Sequence, residues 1–251
     1  MNASTLNSPA ATQAAAPATT RYDMYQPIHK GLRAFMSDTL SRVGRVDVFD
    51  VFDVKDLART LAQLEALLNF CVKHVAHENE FLHTAIQARQ PGAASRTVDD
   101  HVEHLHSIEA LRLEARSLMT VNGDERMAKA LRVYRHLALF VAENFQHMHI
   151  EETANNAALW AHYSDAELAD IHNRLLATIS PEDTMEVMRW MVPALNPVQR
   201  AGLLAEMKKE APAFVFDAVI EVVRPHLDIR DWTKLARAVG VPQQAGLVNF
   251  A

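Results

Sequence analysis

The 251-residue chain places histidine and glutamate where a helix buries leucine. Along 64–82, Leu64, Leu67, Leu68, Cys71, Val75, Phe81 and Leu82 recur at helical spacing, and His74 and Glu78 fall inside their stripe. Along 133–158, Val133, Leu137, Phe140, Val141, Met148 and Ala158 form a second stripe, with His147 and Glu151 inside it. Residues four apart share a helix face, so each stripe turns an imidazole and a carboxylate inward together. A buried unpaired carboxylate is costly or gives up its charge by taking a proton. Two of them, each one turn from a buried imidazole, call for a compensating cation.

The two pairs belong to a larger near-duplication. His29 precedes His74 by 45 residues, and His104 precedes His147 by 43. His29 lies beside Leu32, Phe35 and Met36, and His104 beside Leu105, Ile108, Leu111 and Leu118. Each half therefore offers one histidine on one helix and a His-x-x-x-Glu pair on the next. With 13 histidines in the chain, about one such pair is expected by chance. The shared apolar phase and the matched spacing single out His29, His74, Glu78, His104, His147 and Glu151 as ligands of a two-metal centre. Imidazole with carboxylate suits iron, manganese or zinc.

Two neighbours stay open as ligands. His101 sits one turn before His104, and Glu152 rivals Glu151 from about 100° further round the helix. His77, His83, His106, His136 and His149 fall mostly off the apolar stripes and are expected in water. Cys71, the only cysteine, is expected to pack in the core. One cysteine excludes an internal disulfide and a thiolate-held iron–sulfur cluster within the chain.

The helical period predicts four long helices: about Asp23 to Arg42, ended by Gly44; Asp53, as N-cap, to the residues before Pro91; Ser95 or Thr97 to about Val121; and Asp124 to Trp160. Arg45 to Phe52 alternates Val and Phe with Asp and reads as a short extended cover. Lengths and short links suit antiparallel neighbours, so the fold class is all-α, an up-down-up-down four-helix bundle. Shorter helices follow, with start signals at Ser164–Glu167, Ser180-Pro181, Asn196-Pro197 and Asp228 and a stop at Gly240. The domain reading is a flexible tail over 1–22, the bundle over 23–160, and a C-terminal helical extension over 161–251. The extension is expected to pack on the bundle or to build a homo-oligomer interface.

The net charge of −6 comes without a dense Lys/Arg block, which argues against nucleic acid as a partner. No apolar run approaches the roughly 20 residues of a membrane span. The Ala/Thr/Ser/Pro-rich start carries no basic segment and reads as a tail rather than a signal peptide. Cytoplasmic localisation is the expectation.

At the six ligand positions the chain resembles the hemerythrin-like, HHE cation-binding family over roughly residues 23–160. Glu103-His104 and Glu151-Glu152 are also similar to that family's surroundings. The resemblance implies a non-haem di-iron centre, two iron ions with an oxo or hydroxo bridge, inside the bundle. Oxygen-carrying hemerythrins have His-x-x-x-His on the third helix, and here Ile108 follows His104 by four. The duplicated His-x-x-x-Glu form is more similar to bacterial di-iron proteins of nitric-oxide response and iron-centre repair, without their N-terminal cysteine-containing domain. The expected function is binding or sensing of a small gas, O2 or NO. The alternatives are a di-iron oxidoreductase acting on NO or peroxide with an external electron donor, and iron storage or donation. A ferritin-like site needs Glu-x-x-His on two helices; Glu80-Phe-Leu-His83 and Glu103-His-Leu-His106 have that spacing, but their histidines fall off the apolar stripes.

Overall fold

The computed structural model describes residues 21–49 and 54–242, which are helical without a strand among them. The first helix, α1, is Gln26–Arg45. Asp23 prepares its start by accepting from the backbone N–H of Tyr25 and Gln26, both at 3.0 Å. Gly44 lies inside α1 and does not end it. A Cβ there would stand 2.8 Å from the Tyr134 ring, so this glycine serves a close approach of two helices. The expected cover over Arg45 to Phe52 lies partly outside the described residues, as do the Asp53 cap and most of the expected tail. Arg21 and Tyr22, assigned to that tail, are tied down. Arg21 pairs with Asp165 at 2.7 Å and donates to the carbonyls of Trp160 and Tyr163, while Tyr22 OH lies 2.6 Å from His172 Nδ1.

The second rod begins as α2, Val54–His77. It passes through a π-helical turn, Glu78–His83, into α3, Thr84–Arg89. Next comes α4, Ser95–Ser117. The fourth rod is α5, Gly123–Ile150, then a second π-helical turn, Glu151–Asn155, and α6, Asn156–His162. In these four rods α1 packs on α2 and α5, and α4 packs on α5 and α2.

Two apolar clusters lie along the rods. One holds Leu32, Phe35 and Met36 of α1, Leu64 to Cys71 of α2, Ile108 and Leu111 of α4, and Val133 to Met148 of α5. The other holds Met24 and Tyr25, Leu82 to Ile86, Ala94, and Ala158 with Leu159. On every rod the buried histidines and glutamates fall where the two clusters meet.

The shorter helices are α7, Asp165–Leu176; α8, Pro181–Ala194; α9, Pro197–Glu210; α10, Ala213–Val223; and α11, Ile229–Val239. Their caps are the ones the sequence signals. Ser164 and Asn196 form capping boxes with Glu167 and Gln199, and Ser180 and Asp228 accept from the N–H of Asp183 and Asp231. From α8 to α11 they build a separate apolar cluster. That cluster docks on the rods through α8 and α1. Trp190 stacks on Phe35 at 4.1 Å, and a Cβ on Gly31 would stand 2.7 Å from the Met191 backbone. No described helix is long and apolar enough to cross a membrane.

Candidate metal centre

Both inward carboxylates open a π-helical turn. Glu78 is the first residue of one and Glu151 of the other. A π turn inserts one extra residue into the helical ladder, and such turns concentrate at functional sites. Each occurs here at the same step of the near-duplication, directly after His-x-x-x-Glu.

The side chains converge into two donor sets. One is His29, His74 and Glu78; the other is Glu78, His101, His147 and Glu151. One ligand atom from each residue lies within 4.8 Å of the others of its set. Donors around a first-row cation at about 2.0–2.2 Å span at most about 4.4 Å, so contraction by a few tenths of an ångström closes either set. Glu78 belongs to both. Its Oε1 lies 3.4 Å from His29 Nε2 and 3.2 Å from His74 Nε2, and its Oε2 lies 3.4 Å from His101 Nε2. Glu151 also reaches both, with Oε2 3.2 Å from His147 Nε2 and 3.5 Å from His29 Nε2. Glu78 is thus shared by the two sets, and Glu151 of the second approaches His29 of the first.

Of the residues singled out in the sequence, His29, Glu78, His104, His147 and Glu151 are buried, and the His74 side chain is 13% exposed. His104 stands outside both donor sets. Its ring lies 4.9 Å from that of His147 and 6.4 Å from that of His101, and its buried Nδ1 has no hydrogen-bond partner. His101 enters the second set in its place. The near-duplication explains this. His101 precedes His147 by 46 residues, closer to the 45 between His29 and His74 than the 43 from His104. Leu32, three residues after His29, is the counterpart of His104.

His83 departs from expectation: it is buried, not solvated. Under a strict α period it lies off the stripe, but the π turn brings the fifth residue after Glu78 back over it. His83 Nε2 lies 3.2 Å from Thr97 Oγ1 and 3.6 Å from Glu151 Oε1. His106 and His149 are exposed, His77 and His136 half-buried, and His136 pairs with Glu114 at 3.2 Å.

The outer imidazole nitrogens have their own partners. Glu152 takes His29 Nδ1 at 3.1 Å and is itself gripped by both Arg33 nitrogens at 2.6 and 3.1 Å. Asp100 takes His147 Nδ1 at 3.2 Å. Asn79 Oδ1 lies 2.8 Å from His101 Nδ1 and 3.1 Å from His83 Nδ1. Such contacts fix the ring so that Nε2 faces inward. Glu152 therefore stands behind His29, outside both donor sets. Asn79 and Glu152 each directly follow an inward carboxylate, a signal present in the sequence. Glu103 is exposed, and Asn144 donates to the Phe140 carbonyl at 2.8 Å.

Several inward atoms lack any hydrogen bond: both oxygens of Glu151, Glu78 Oε2, His74 Nε2 and His104 Nδ1. All the ion pairs of Glu78 and Glu151 among the described residues are to histidines. A cavity of about 10 Å³ lies among His74, Glu78, His101, His104 and His147, closed by Leu32 and Met148. That is room for about one water-sized particle.

Burial raises the carboxyl of Glu78, but His74, His101 and His29 outweigh it and hold it well below the usual range. Burial and the charge of Glu78 raise Glu151, and the imidazoles of His147 and His83 bring it below the usual value. Burial pushes His74 down to about 4. His104 is also brought down to about 4, by burial and by its neighbours His147 and His101. Their lone pairs are free at neutral pH, as metal ligation requires. Burial lowers His29, but Glu152 and Glu78 outweigh it and raise the imidazole to about 9. Burial lowers His147 as well, but the carboxylates of Glu151 and Glu78 raise it, so His29 and His147 would give up a proton on ligation. Anionic carboxylates, the neutral imidazoles of His74 and His104, and buried donor atoms without a hydrogen bond together fit a bound metal ion.

In comparisons with known proteins, no family model, no curated protein and no solved structure matches the chain.

Proposed function

We propose that this chain is a two-metal protein that binds or senses a small gas, O2 or NO, at an iron pair inside an up-down-up-down four-helix bundle. The order of the apolar clusters supports the topology: α1 and α4 run from the Tyr25 cluster toward the Phe35 cluster, and α2 and α5 run back. The observation that carries the metal reading is the group of buried atoms without a hydrogen bond, on Glu78, His74 and His104 around one small cavity and on Glu151 beside them. A buried polar atom without a partner costs free energy that a cation at that point returns. His29, His74 and Glu78 would hold one ion, and His101, His147, Glu151 and Glu78 the other; His104 lies beside the second group. The choice of iron and of a gas follows from the likeness of these positions to hemerythrin-like proteins.

When bound, iron supplies Lewis acidity and electrons to a small ligand. The chain supplies the rest. Glu152, Asp100 and Asn79 hold the imidazoles in one orientation. Apolar clusters on both sides keep water out, which strengthens every charge interaction between them. One cysteine, buried Cys71, cannot hold an iron–sulfur cluster, so turnover would call on an external electron donor.

The test is an anaerobic titration of the iron-loaded protein with NO and, separately, with O2, followed by visible absorbance. Saturable spectral change with one ligand equivalent per iron pair is expected. An unchanged spectrum with either gas removes the gas-binding reading.

A further inference from the structure

We propose that Tyr25 donates a hydrogen bond to the small ligand held at the His29–His74 end of the centre and fixes its orientation there. This rests on the two-cation reading above and adds a residue that is in neither donor set.

Tyr25 is 0% exposed and among the largest fully buried side chains, yet its hydroxyl has no hydrogen-bond partner. Its ring is tilted against His29 with centroids 5.4 Å apart. A phenol hydroxyl carries one proton to donate, and here that donor is buried and unspent beside an imidazole of the centre. Asn155 also faces it: its amide gives one N–H to Thr97 Oγ1 at 3.1 Å, and the other can only donate to the phenol oxygen, which leaves the Tyr25 proton unspent.

The near-duplication supplies an internal control. Tyr25 lies four residues before His29, and Thr97 lies four before His101. The Thr97 hydroxyl is fully used: it donates to the Ala94 carbonyl at 3.0 Å, receives Asn155, and stands 3.2 Å from His83 Nε2. His83 stacks on His101 with centroids 4.8 Å apart and closes that end. At the place corresponding to His83 stands Asn156, whose amide goes to the Glu152 carbonyl at 3.2 Å. The unspent donor and the end without a closing imidazole are the same end. A buried, preoriented hydroxyl there suits an anionic or polarised acceptor of two or three atoms.

The experiment compares the full-length protein with Tyr25→Phe, which keeps the ring and removes the hydroxyl. Both are loaded with iron, assayed for metal per chain, and titrated with azide by absorbance. The infrared azide stretch is then recorded in H2O and D2O. Equal metal content, azide bound about tenfold or more weakly by Y25F, and a D2O shift seen only in the parent support the inference. Equal azide affinity in the two proteins overturns it, as does loss of iron by Y25F, which would make Tyr25 a ligand. A parent that takes up no iron overturns the two-cation reading itself. If Y25F fails to fold, the parent's spectrum decides: no D2O shift of bound azide overturns the proposal.

Discussion

At the scale of the residue, the polar interior is built in two layers, and only the inner one follows from helical periodicity. His29, His74, Glu78, His147 and Glu151 are legible because each interrupts an apolar stripe. His101 and His83 are not, for different reasons. His101 competes with a neighbour one turn away on the same face, and only the 46-residue spacing to His147 separates them. His83 is hidden because a 3.6-residue period assumes no inserted residue. The outer layer depends on contacts between helices, as in the 3.1 Å contact of Glu152 with His29, which no single-helix pattern contains. Outer partners of this kind typically contribute 10- to 100-fold to metal affinity. Glu152→Ala should therefore weaken binding at the His29 end by about that factor in a chelator-competition titration, with far-ultraviolet circular dichroism unchanged; an unaltered affinity would leave Glu152 as a simple partner of Arg33. Cys71 gives a second check at this scale. Burial pushes its thiol up to about 12, and the reactive form is the thiolate, which is scarce below that value. Alkylation by iodoacetamide at pH 8 should be negligible in the folded protein and complete in denaturant. Rapid labelling of the native state would contradict this placement in the core.

At the scale of the element, the four rods are where hydrophobic periodicity puts them, and their breaks are not. Gly44 reads as a terminator but sits inside α1, because the approach of Tyr134 excludes a side chain. The two π turns interrupt continuous helical signals without Gly or Pro to announce them. Their register makes a prediction with opposite signs. Deleting the exposed Glu80 removes the inserted residue, so His83 becomes the fourth residue after Glu78 and stays on the same face. Melting temperature should hold within a few degrees. Inserting an alanine beside Glu80 turns everything after it by about 100° and takes Leu82 and Ile86 off their cluster. At about 1.5–3 kcal/mol for each buried aliphatic side chain, and about 2–4 °C per kcal/mol for a chain of this size, the melting temperature should fall by more than about 5 °C. Thermal unfolding of both variants decides it, and equal losses in the two would mean the turn does not act as a register insertion.

At the scale of the whole molecule, the capping signals after Ser164 locate the shorter helices but say nothing of where they dock. Docking is set by shape. Gly31 lets α8 approach α1 to backbone distance, and Trp190 covers Phe35 beside it. Gly31→Val forces a side chain into that gap and should cost about 1–3 kcal/mol, read as a lower urea midpoint with an unchanged slope. A midpoint equal to the parent's would show that the contact is loose. This docking lies directly over the rod that carries His29, so the extension braces one wall of the polar layer.

Cations between Glu78 and Glu151 would satisfy those of their buried atoms that no hydrogen bond reaches. Elemental analysis of protein purified aerobically without chelators, or reconstituted with ferrous iron, tests it most directly. About two iron ions per chain are expected, with Glu78→Ala and Glu151→Ala each sharply reduced. A parent that holds no transition metal, or both variants at full occupancy, would contradict it.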